Sequence, residues 1–464
     1  MQNQNLSHIT DAREMAVNLV YNIMENGAYA NLSLENALRS SELSSGDKNL
    51  VTEIVNGSIR MIKHLDWVLN LFLRKSIAEM NPWARSILRI AAYQILFMER
   101  IPDYAGVSSA VAIARKKVNP TMAGVCNAVL RNISRNKDKL SYPPLNSLAH
   151  LSVFYSQPEW LVKLWLERYG ADQTEKILAY MNQKPLLTLR VNTLRTNRED
   201  LCRKLQGEGV VIKPGPSHPD SIRVESMPAS INALNSYQAG LFYIQNEAAM
   251  LAADIINPQA GEQILDLCSG VGGKATHFAE KMKNQGRVKA VELYPHKISL
   301  LHNNCQRLGI NIIDAEQYDI LTMDEKKLWP KVFLDAPCSG LGVLNRRADA
   351  RWRKNPQEIE ALTQLQSALL TKAGKMTAPG GILVYSTCTV NPVENENIIT
   401  SFLDHNPEFS LAPFPDLLSS FPLDEEDREM ADRGWLTIIP GKYESDGMFY
   451  AHLRRSTESN ERSE

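Results

Sequence analysis

The stretch Gln263-Ile264-Leu265-Asp266-Leu267-Cys268-Ser269-Gly270-Val271-Gly272-Gly273-Lys274-Ala275-Thr276-His277 constrains the fold more than any other part of the chain. A short apolar run ends in an acid, passes into a glycine loop and continues as helical sequence. This is the strand–turn–helix pattern of doubly wound α/β domains. Glycines let the backbone approach a ligand closely, and the helix start offers unpaired N–H groups to a negative group. Gly270, Gly272 and Gly273 do not spell the usual dinucleotide fingerprint, so a turn that merely closes a core strand competes with this reading.

From Gly240 onward strands and helices alternate. Gln263–Leu267 and Arg287–Leu293 read as the first two strands, Lys331–Leu334 as the fourth by position, Gly381–Tyr385 as the fifth and Met448–Leu453 as a late one. Helices are predicted over Lys274–Met282, Pro295–Leu308 and Pro356–Met376, with the acidic patch Asp424–Glu429 as a surface loop and Ser456–Glu464 as a frayed tail. Two cysteines fall at carboxyl ends of strands, where open α/β sheets hold their ligands. Cys338 lies in Asp335-Ala336-Pro337-Cys338-Ser339-Gly340 and Cys388 in Ser386-Thr387-Cys388-Thr389. A lone cysteine there is commonly an inert small hydrophobe. Two at successive strand tips, one beside an acid, point to chemistry.

The 464 residues are enough for two or three domains. A net charge of −1 gives the whole chain no global pull on nucleic acid, although residues 1–140 are mildly basic. The six cysteines form no C-x-x-C pair, so zinc and other metals are not expected. The polar start Met1–Thr10 has no apolar signal region, and Ile87–Met98 is short and broken by Arg89 and Gln94, which predicts a cytoplasmic chain without a membrane span. Cys126, Cys202 and Cys305 read as packing within helices. His277 reads as a helix-surface residue.

Residues 11–135 read as helix after helix: Ala12–Glu25, Asn49–Lys63, Leu65–Lys75, Pro82–Phe97, Ser108–Lys117 and Thr121–Ile133. Asn136–Leu145, with its proline pair, reads as a linker. The region 150–240 mixes helices (Pro158–Tyr169, Gln173–Met181, Arg198–Glu208) with strands at Leu186–Asn192, Val210–Lys213 and Ser221–Val224, giving a small α+β module. Arg190 and Asn192 are candidates for RNA contact or for a buried polar network.

Asp11-Ala12-Arg13, the tract Ala84–Phe97, Ile101-Pro102-Asp103-Tyr104-Ala105 and Cys126-Asn127-Ala128-Val129-Leu130-Arg131 resemble the NusB-like RNA-binding domain. Ser108-Ser109-Ala110-Val111 stands where that family usually has Asn-Glu-Ala-Val. The resemblance implies RNA contact, with Arg13, Arg85, Arg115, Lys116 and Lys117 as phosphate candidates.

Two thiols and an acid without metal suit methylation at carbon 5 of cytosine. That carbon is a poor nucleophile until a thiolate adds at carbon 6, and a base must later take the carbon-5 proton. Spacing alone leaves open which cysteine attacks. Leu265-Asp266-Leu267-Cys268 with Gly272-Gly273-Lys274, Asp335–Gly342, and Ser386-Thr387-Cys388 with Glu394-Asn395-Glu396 resemble the RNA 5-methylcytosine methyltransferases. Joined to the NusB-like part, the chain resembles the bacterial Fmu/Sun-type enzymes that methylate small-subunit (16S) ribosomal RNA.

The resemblance implies a multidomain fold: an all-α NusB-like domain over 1–140, the α+β module over 150–240, and a Rossmann-like methyltransferase domain over 241–455. It implies Cys388 as nucleophile, Cys338 as the thiol that assists release, and Asp335 as the group holding the base. S-adenosyl-L-methionine is the implied donor, on Cys268, Ser269, Gly270, Val271, Gly272, Gly273 and Lys274, with Glu292 at the ribose hydroxyls, Asp319 near the adenine and Asp335 at its border. Arg346, Arg347 and Arg351 join the phosphate candidates. Val271 replaces the family's usual proline, Glu292 the usual aspartate, and Asn345-Arg346-Arg347-Ala348-Asp349 the usual Arg-Arg-His-Pro-Asp. The partner implied is ribosomal RNA, and nothing in the sequence requires more than a monomer. The alternatives are an RNA-binding assembly or transcription factor with an inactive methyltransferase domain, motivated by the altered glycine loop, and the same chemistry on tRNA or another rRNA site.

Overall fold

A computed structural model describes residues 11–213, 218–228 and 230–457. The chain divides into two compact units. One holds the described residues up to Gln183 together with Leu344–Arg353, and the other holds Lys184–Val343 and the chain from Lys354. Most of the expected tail Ser456–Glu464 lies outside the described residues.

The first unit is helical: Ala12–Glu25, Ala30–Ser40, Ser45–Arg60, Ile62–Phe72, Pro82–Phe97, Asp103–Lys117, Pro120–Asn136, Leu148–Phe154 and Glu159–Asn182. Its helices start where short polar side chains satisfy free N–H groups. Asp11 accepts from Glu14 N, Asn81 from Trp83 N and Asn119 from Met122 N, with Pro82 and Pro120 in first turns. Met15, Val20, Val51, Ile54, Leu65, Leu88 and Leu130 fill the core. A Cβ at Gly57 would stand 2.0 Å from Tyr93 Cζ, so two helices meet through a glycine. The last long helix kinks at Gly170 (φ 72°), matching the two helices read from sequence.

The expected linker is not loose. Asn136 still belongs to a helix, and Tyr142 stacks on Trp67 at 4.8 Å while its hydroxyl meets His64 Nε2 at 3.2 Å. The proline pair marked a break in regular structure, but the aromatic ring after it is packed. Ala30–Ser40 was not anticipated, because its apolar face is short.

The second unit contains two sheets. Strands β1 (Leu187–Val191), β2 (Val211–Lys213), β3 (Ser221–Ser226) and β4 (Phe242–Ile244) form an antiparallel sheet ordered β2-β3-β1-β4. The larger sheet contains β5 (Gln263–Leu267), β6 (Arg287–Glu292), β7 (Ile313–Gln317), β8 (Trp329–Asp335), β9 (Thr377–Thr387), β10 (Phe409–Leu411), β11 (Trp435–Ile438) and β12 (Met448–Arg455). Its order is β10-β12-β9-β8-β5-β6-β7, with β11 on β12. Strands β5 to β9 pair in parallel, whereas β10, β11 and β12 pair antiparallel. The strand order reverses between β5 and β8, the switch point where a crevice opens at the carboxyl ends. Strands β4, β7, β10 and β11 escaped the sequence reading: three are of three or four residues, and β7 is a polar edge.

Three expectations are corrected here. Asp424–Glu429 is not a loop: Asp424 caps a helix Glu425–Asp432 by accepting from Asp427 N, and acids suit a first helical turn. His277 is not on the surface. It is 1% exposed, its ring 3.7 Å from an Asp220 oxygen, and burial beside Arg190 pushes its pKa down to about 3. Arg190 is fully buried and so is no RNA ligand. Its Nε and Nη2 grip Glu280 at 3.0 and 2.8 Å, Nη2 also donates to Thr276 Oγ1, and Nη1 donates to the Gly273 carbonyl at 2.6 Å and to Gln245 Oε1. These bonds tie β1 to the helix that follows the glycine loop.

Removing one partner strands the other charge, so Arg190→Ala is expected to lower stability by about 3–5 kcal/mol in urea unfolding. Replacing both Arg190 and Glu280 by apolar residues should restore much of that loss. His277 gives a pH signature. Its folded pKa lies below the unfolded value, so its stabilising contribution is full above the ordinary histidine value of 6.5 and is lost as pH falls toward about 3. Urea unfolding from pH 7 to pH 4 should show a decline that His277→Gln flattens by up to about 1.4 kcal/mol per pH unit.

Candidate active site

Strand β5 ends in a loop that only unusual backbone can form. Cys268 (φ 61°), Gly270 (φ 60°) and Gly272 (φ 87°) all lie in the left-handed region. A side chain at Gly272 would also crowd Leu301, whose Cγ lies 2.9 Å from the position of an added Cβ. The helix Gly273–Lys281 starts directly after it. The buried Glu292, closing β6, accepts from Gly270 N at 2.9 Å, from Tyr294 N at 3.1 Å and from Lys297 Nζ at 3.2 Å. Val271 is exposed, and its carbonyl accepts from Asn304 Nδ2 at 3.0 Å. The loop keeps its path without proline through these bonds.

Asp266 is fully buried, and among the described residues neither carboxylate oxygen has a hydrogen-bond partner. Burial, with Asp335 and Glu292 nearby, holds its carboxyl well above the ordinary carboxylate range. Acids thus collect around a glycine cradle that ends in helix N–H groups. A zwitterionic amino acid joined to a cationic sulfur and a ribose fits this donor set. Asp319 lies two residues beyond the end of β7 and is exposed, its Oδ1 accepting from Leu321 N.

The two thiols meet. Ala336 N donates to Ser386 O at 2.9 Å, holding the tips of β8 and β9 in register, and Cys338 Sγ lies 3.4 Å from Cys388 Sγ. Asp335, the last residue of β8, accepts from Lys274 Nζ at 2.6 Å and from Ser386 Oγ at 2.8 Å. The hydrogen bond with Cys388 and deep burial both push the Cys338 thiol well above its usual range.

A buried carboxylate clamps the two thiol loops together. Glu394 Oε1 accepts from Ser339 N at 2.8 Å and from Gln366 Nε2 at 3.1 Å. Its Oε2 accepts from Ser339 Oγ, Asn391 Nδ2 and Thr389 Oγ1. Behind it, Gly342 N donates to Cys388 O at 3.0 Å. A Cβ on Gly342 would stand 2.7 Å from that oxygen and 2.5 Å from Gly447 O, so a glycine is required there. Glu394 was visible in sequence only as part of a motif. Its role rests on contact between loops some 50 residues apart.

The proposed phosphate ligands fare differently. Arg351 is corrected: it is fully buried, donating to Ser156 O, Asn182 Oδ1 and Met181 O within the helical unit. Arg85 is held by Glu25 at 3.1 and 2.6 Å, Arg13 by Gln94 at 2.8 Å, Lys116 by Glu14 at 2.8 Å, and Lys117 by Asn18 at 3.1 Å. Arg115, Arg346 and Arg347 are exposed.

Comparison with known proteins matches three family profiles to successive parts of the chain. The NusB family covers residues 10–135, the ferredoxin-like domain of RsmF/B-like methyltransferases 157–231, and 16S rRNA methyltransferase RsmB/F 253–454. The probable ribosomal RNA small subunit methyltransferase B of Bacillus subtilis (strain 168) is 34% identical over 449 residues, spanning 96% of this chain and 99% of its own. The corresponding protein of Synechocystis is 32% identical over 448 residues, with shares of 96% and 99%. Among solved structures, PH0851 aligns over 96% of this chain and 99% of its own, with a TM-score of 0.79 and 26% identity. NSun6 from Pyrococcus horikoshii with SFG shares the fold over 65% of this chain and 99% of its own, at a TM-score of 0.57 and 22% identity.

Glu394→Gln keeps the size of the clamp and removes its charge. With charge-assisted bonds worth about 1.5–3 kcal/mol each, it is expected to cut methyl transfer about tenfold or more. Donor binding measured by calorimetry should stay near the wild-type value.

Proposed function

Because the chain belongs to the ribosomal RNA small subunit methyltransferase B family, whose methyl donor is S-adenosylmethionine, we propose that it methylates carbon 5 of a cytosine in small-subunit rRNA through a covalent cysteine adduct. The observation that carries this reading is the pair Cys338 and Cys388, 3.4 Å apart beside Asp335. Methylation of an already nucleophilic nitrogen or oxygen needs no such pair of thiols.

The bound donor supplies an electrophilic methyl group, held by Cys268–Lys274 and Glu292. Everything else is work for the chain's own residues. The target base leaves its stack to reach the crevice. Cys388 attacks carbon 6 as a thiolate, forming a sulfur–carbon bond and moving the π pair of the 5,6 double bond onto carbon 5. Asp335, oriented by Lys274 and Ser386, holds the base edge where charge develops. With that pair carbon 5 takes the methyl group, whose bond to the donor's sulfur breaks and leaves its electron pair on that sulfur. A base removes the carbon-5 proton, the pair left behind rebuilds the double bond, and Cys388 departs as a thiolate. Cys338, in contact with the departing sulfur, assists this release.

Transfer of labelled methyl groups to unmodified small-subunit rRNA tests the reading. Wild type is expected to label carbon 5 of one cytosine, and Cys388→Ala to lose at least about a thousandfold in rate, as expected for a lost covalent nucleophile. Cys338→Ala should accumulate a protein–RNA adduct that survives denaturation. An adduct formed by Cys388→Ala would exchange the roles of the thiols. Label on another atom, or on tRNA alone, would overturn the assignment. RNA binding with no transfer at all would favour an inactive binding factor.

A further inference from the structure

The chain leaves the second unit after Val343, five residues beyond Cys338, runs through the helical unit as Leu344–Arg353, and returns at Lys354. Both ends of this excursion lead to the thiols. At its start, Gly342 N donates to Cys388 O at 3.0 Å, and Gly342 O accepts from Gly447 N at 2.8 Å. At its end, Asn355 caps the helix Pro356–Met376, whose Gln366 donates to Pro337 O at 2.9 Å and to Glu394 Oε1 at 3.1 Å. Within the helical unit the segment is gripped closely. Ala348 joins the hydrophobic core. Arg351 donates to Ser156 O, Asn182 Oδ1 and Met181 O at 3.2, 2.9 and 2.9 Å, Trp352 Nε1 to Ile59 O at 2.7 Å, and Arg353 Nη1 to Gly27 O at 3.0 Å.

The acceptors of Arg351 are amide oxygens, and burial lowers its guanidinium pKa to about 9. Apolar side chains of similar volume often stabilise a protein at least as well as a buried charge. A guanidinium held by amide oxygens is therefore better suited to fixing the path of this segment than to adding stability. The two thiols differ in what holds them. Cys388 directly follows β9, which pairs with β8 on one side and β12 on the other. Cys338 lies three residues past the end of β8, in the loop that becomes the excursion. Slack in the excursion falls on Cys338.

We infer that Leu344–Arg353 is a strap through which the helical unit keeps Cys338 against Cys388, with Arg351 and Trp352 as positioning residues for release of the methylated base. The part played in release rests on the cysteine-adduct reading above; the placement of the two thiols does not.

Two variants of the full chain test the strap. A flexible Gly-Ser-Gly-Ser insertion between Val343 and Leu344 keeps the residues that contact the thiol loops and those that grip the helical unit, and slackens only the chain joining them. Arg351→Met with Trp352→Phe loosens the grip itself, and urea unfolding checks that both variants fold. Thiol placement is read without turnover from the affinity of phenylarsine oxide, whose arsenic bridges two thiols only when they are close. Wild type is expected to bind it through Cys338 and Cys388, with the bridge absent from Cys338→Ala. Both strap variants should bind it about tenfold more weakly, because the effective concentration of one thiol at the other falls. In methyl transfer both should lower kcat about tenfold and raise the fraction of enzyme trapped as a denaturation-resistant RNA adduct about fivefold, with KM for RNA within about twofold of wild type. Folded variants that bind the arsenical as tightly as wild type would overturn the inference. So would a raised KM for RNA at unchanged kcat, because the segment would then serve RNA binding alone. Absence of any adduct even in Cys338→Ala would overturn the cysteine-adduct reading instead, and the arsenical affinities would still decide whether the strap places the thiols.

Discussion

The ion pair between Lys274 and Asp335, at 2.6 Å, joins the parts on which the site depends. Lys274 stands in the first turn after the glycine loop, and Asp335 ends the neighbouring strand β8. Ser386 extends the link to β9, whose next turn carries Cys388. The pair is partly buried, and a charge withdrawn from water in this way is tolerated best when its partner is fixed. The donor cradle, the acid and the nucleophile strand are therefore held as one set, and the fold gains little from the pair beyond that alignment.

Two further buried charges extend the same logic outward. Arg190 reaches from the small sheet to Glu280 and to the Gly273 carbonyl, so the helix bearing Lys274 is anchored at both its first and last turns. Glu394 lies on the other side, collecting donors from the Cys338 loop, the Cys388 loop and Gln366. Each such carboxylate is costly to bury and repays the cost only in one geometry. The Glu394 clamp holds two thiol loops distant in sequence at hydrogen-bonding distance without a disulfide.

Much of this was legible in the chain. Apolar periodicity located most helices, and the acid–glycine pattern located β5, its loop and its helix. The strand-tip positions of Cys338 and Cys388 followed from the alternation of elements. What escaped did so for identifiable reasons. Short strands such as β4 and β10 carry too few residues for a period, and the acidic helix Glu425–Asp432 has no apolar face to advertise it. Arginines were the hardest residues to read. Arg190 and Arg351 are fully buried, while Arg131 and Arg135 are exposed, yet in sequence all four are simply cations near helices or strands.

The sequence by itself determined which elements form and which residue types stand at their ends, because helix caps, glycine loops and apolar spacing act over a few neighbouring residues. It also determined that two thiols and an acid were available at strand tips. Only the tertiary structure decided which charges are consumed inside and which remain for a ligand. It alone decided that Glu394 clamps the thiols, that Asp266 is buried with no hydrogen-bond partner among the described residues, and that His277 lies inside. Burial and pairing depend on residues tens or hundreds of positions away, and the cost of a charge depends on how much water the folded chain leaves around it.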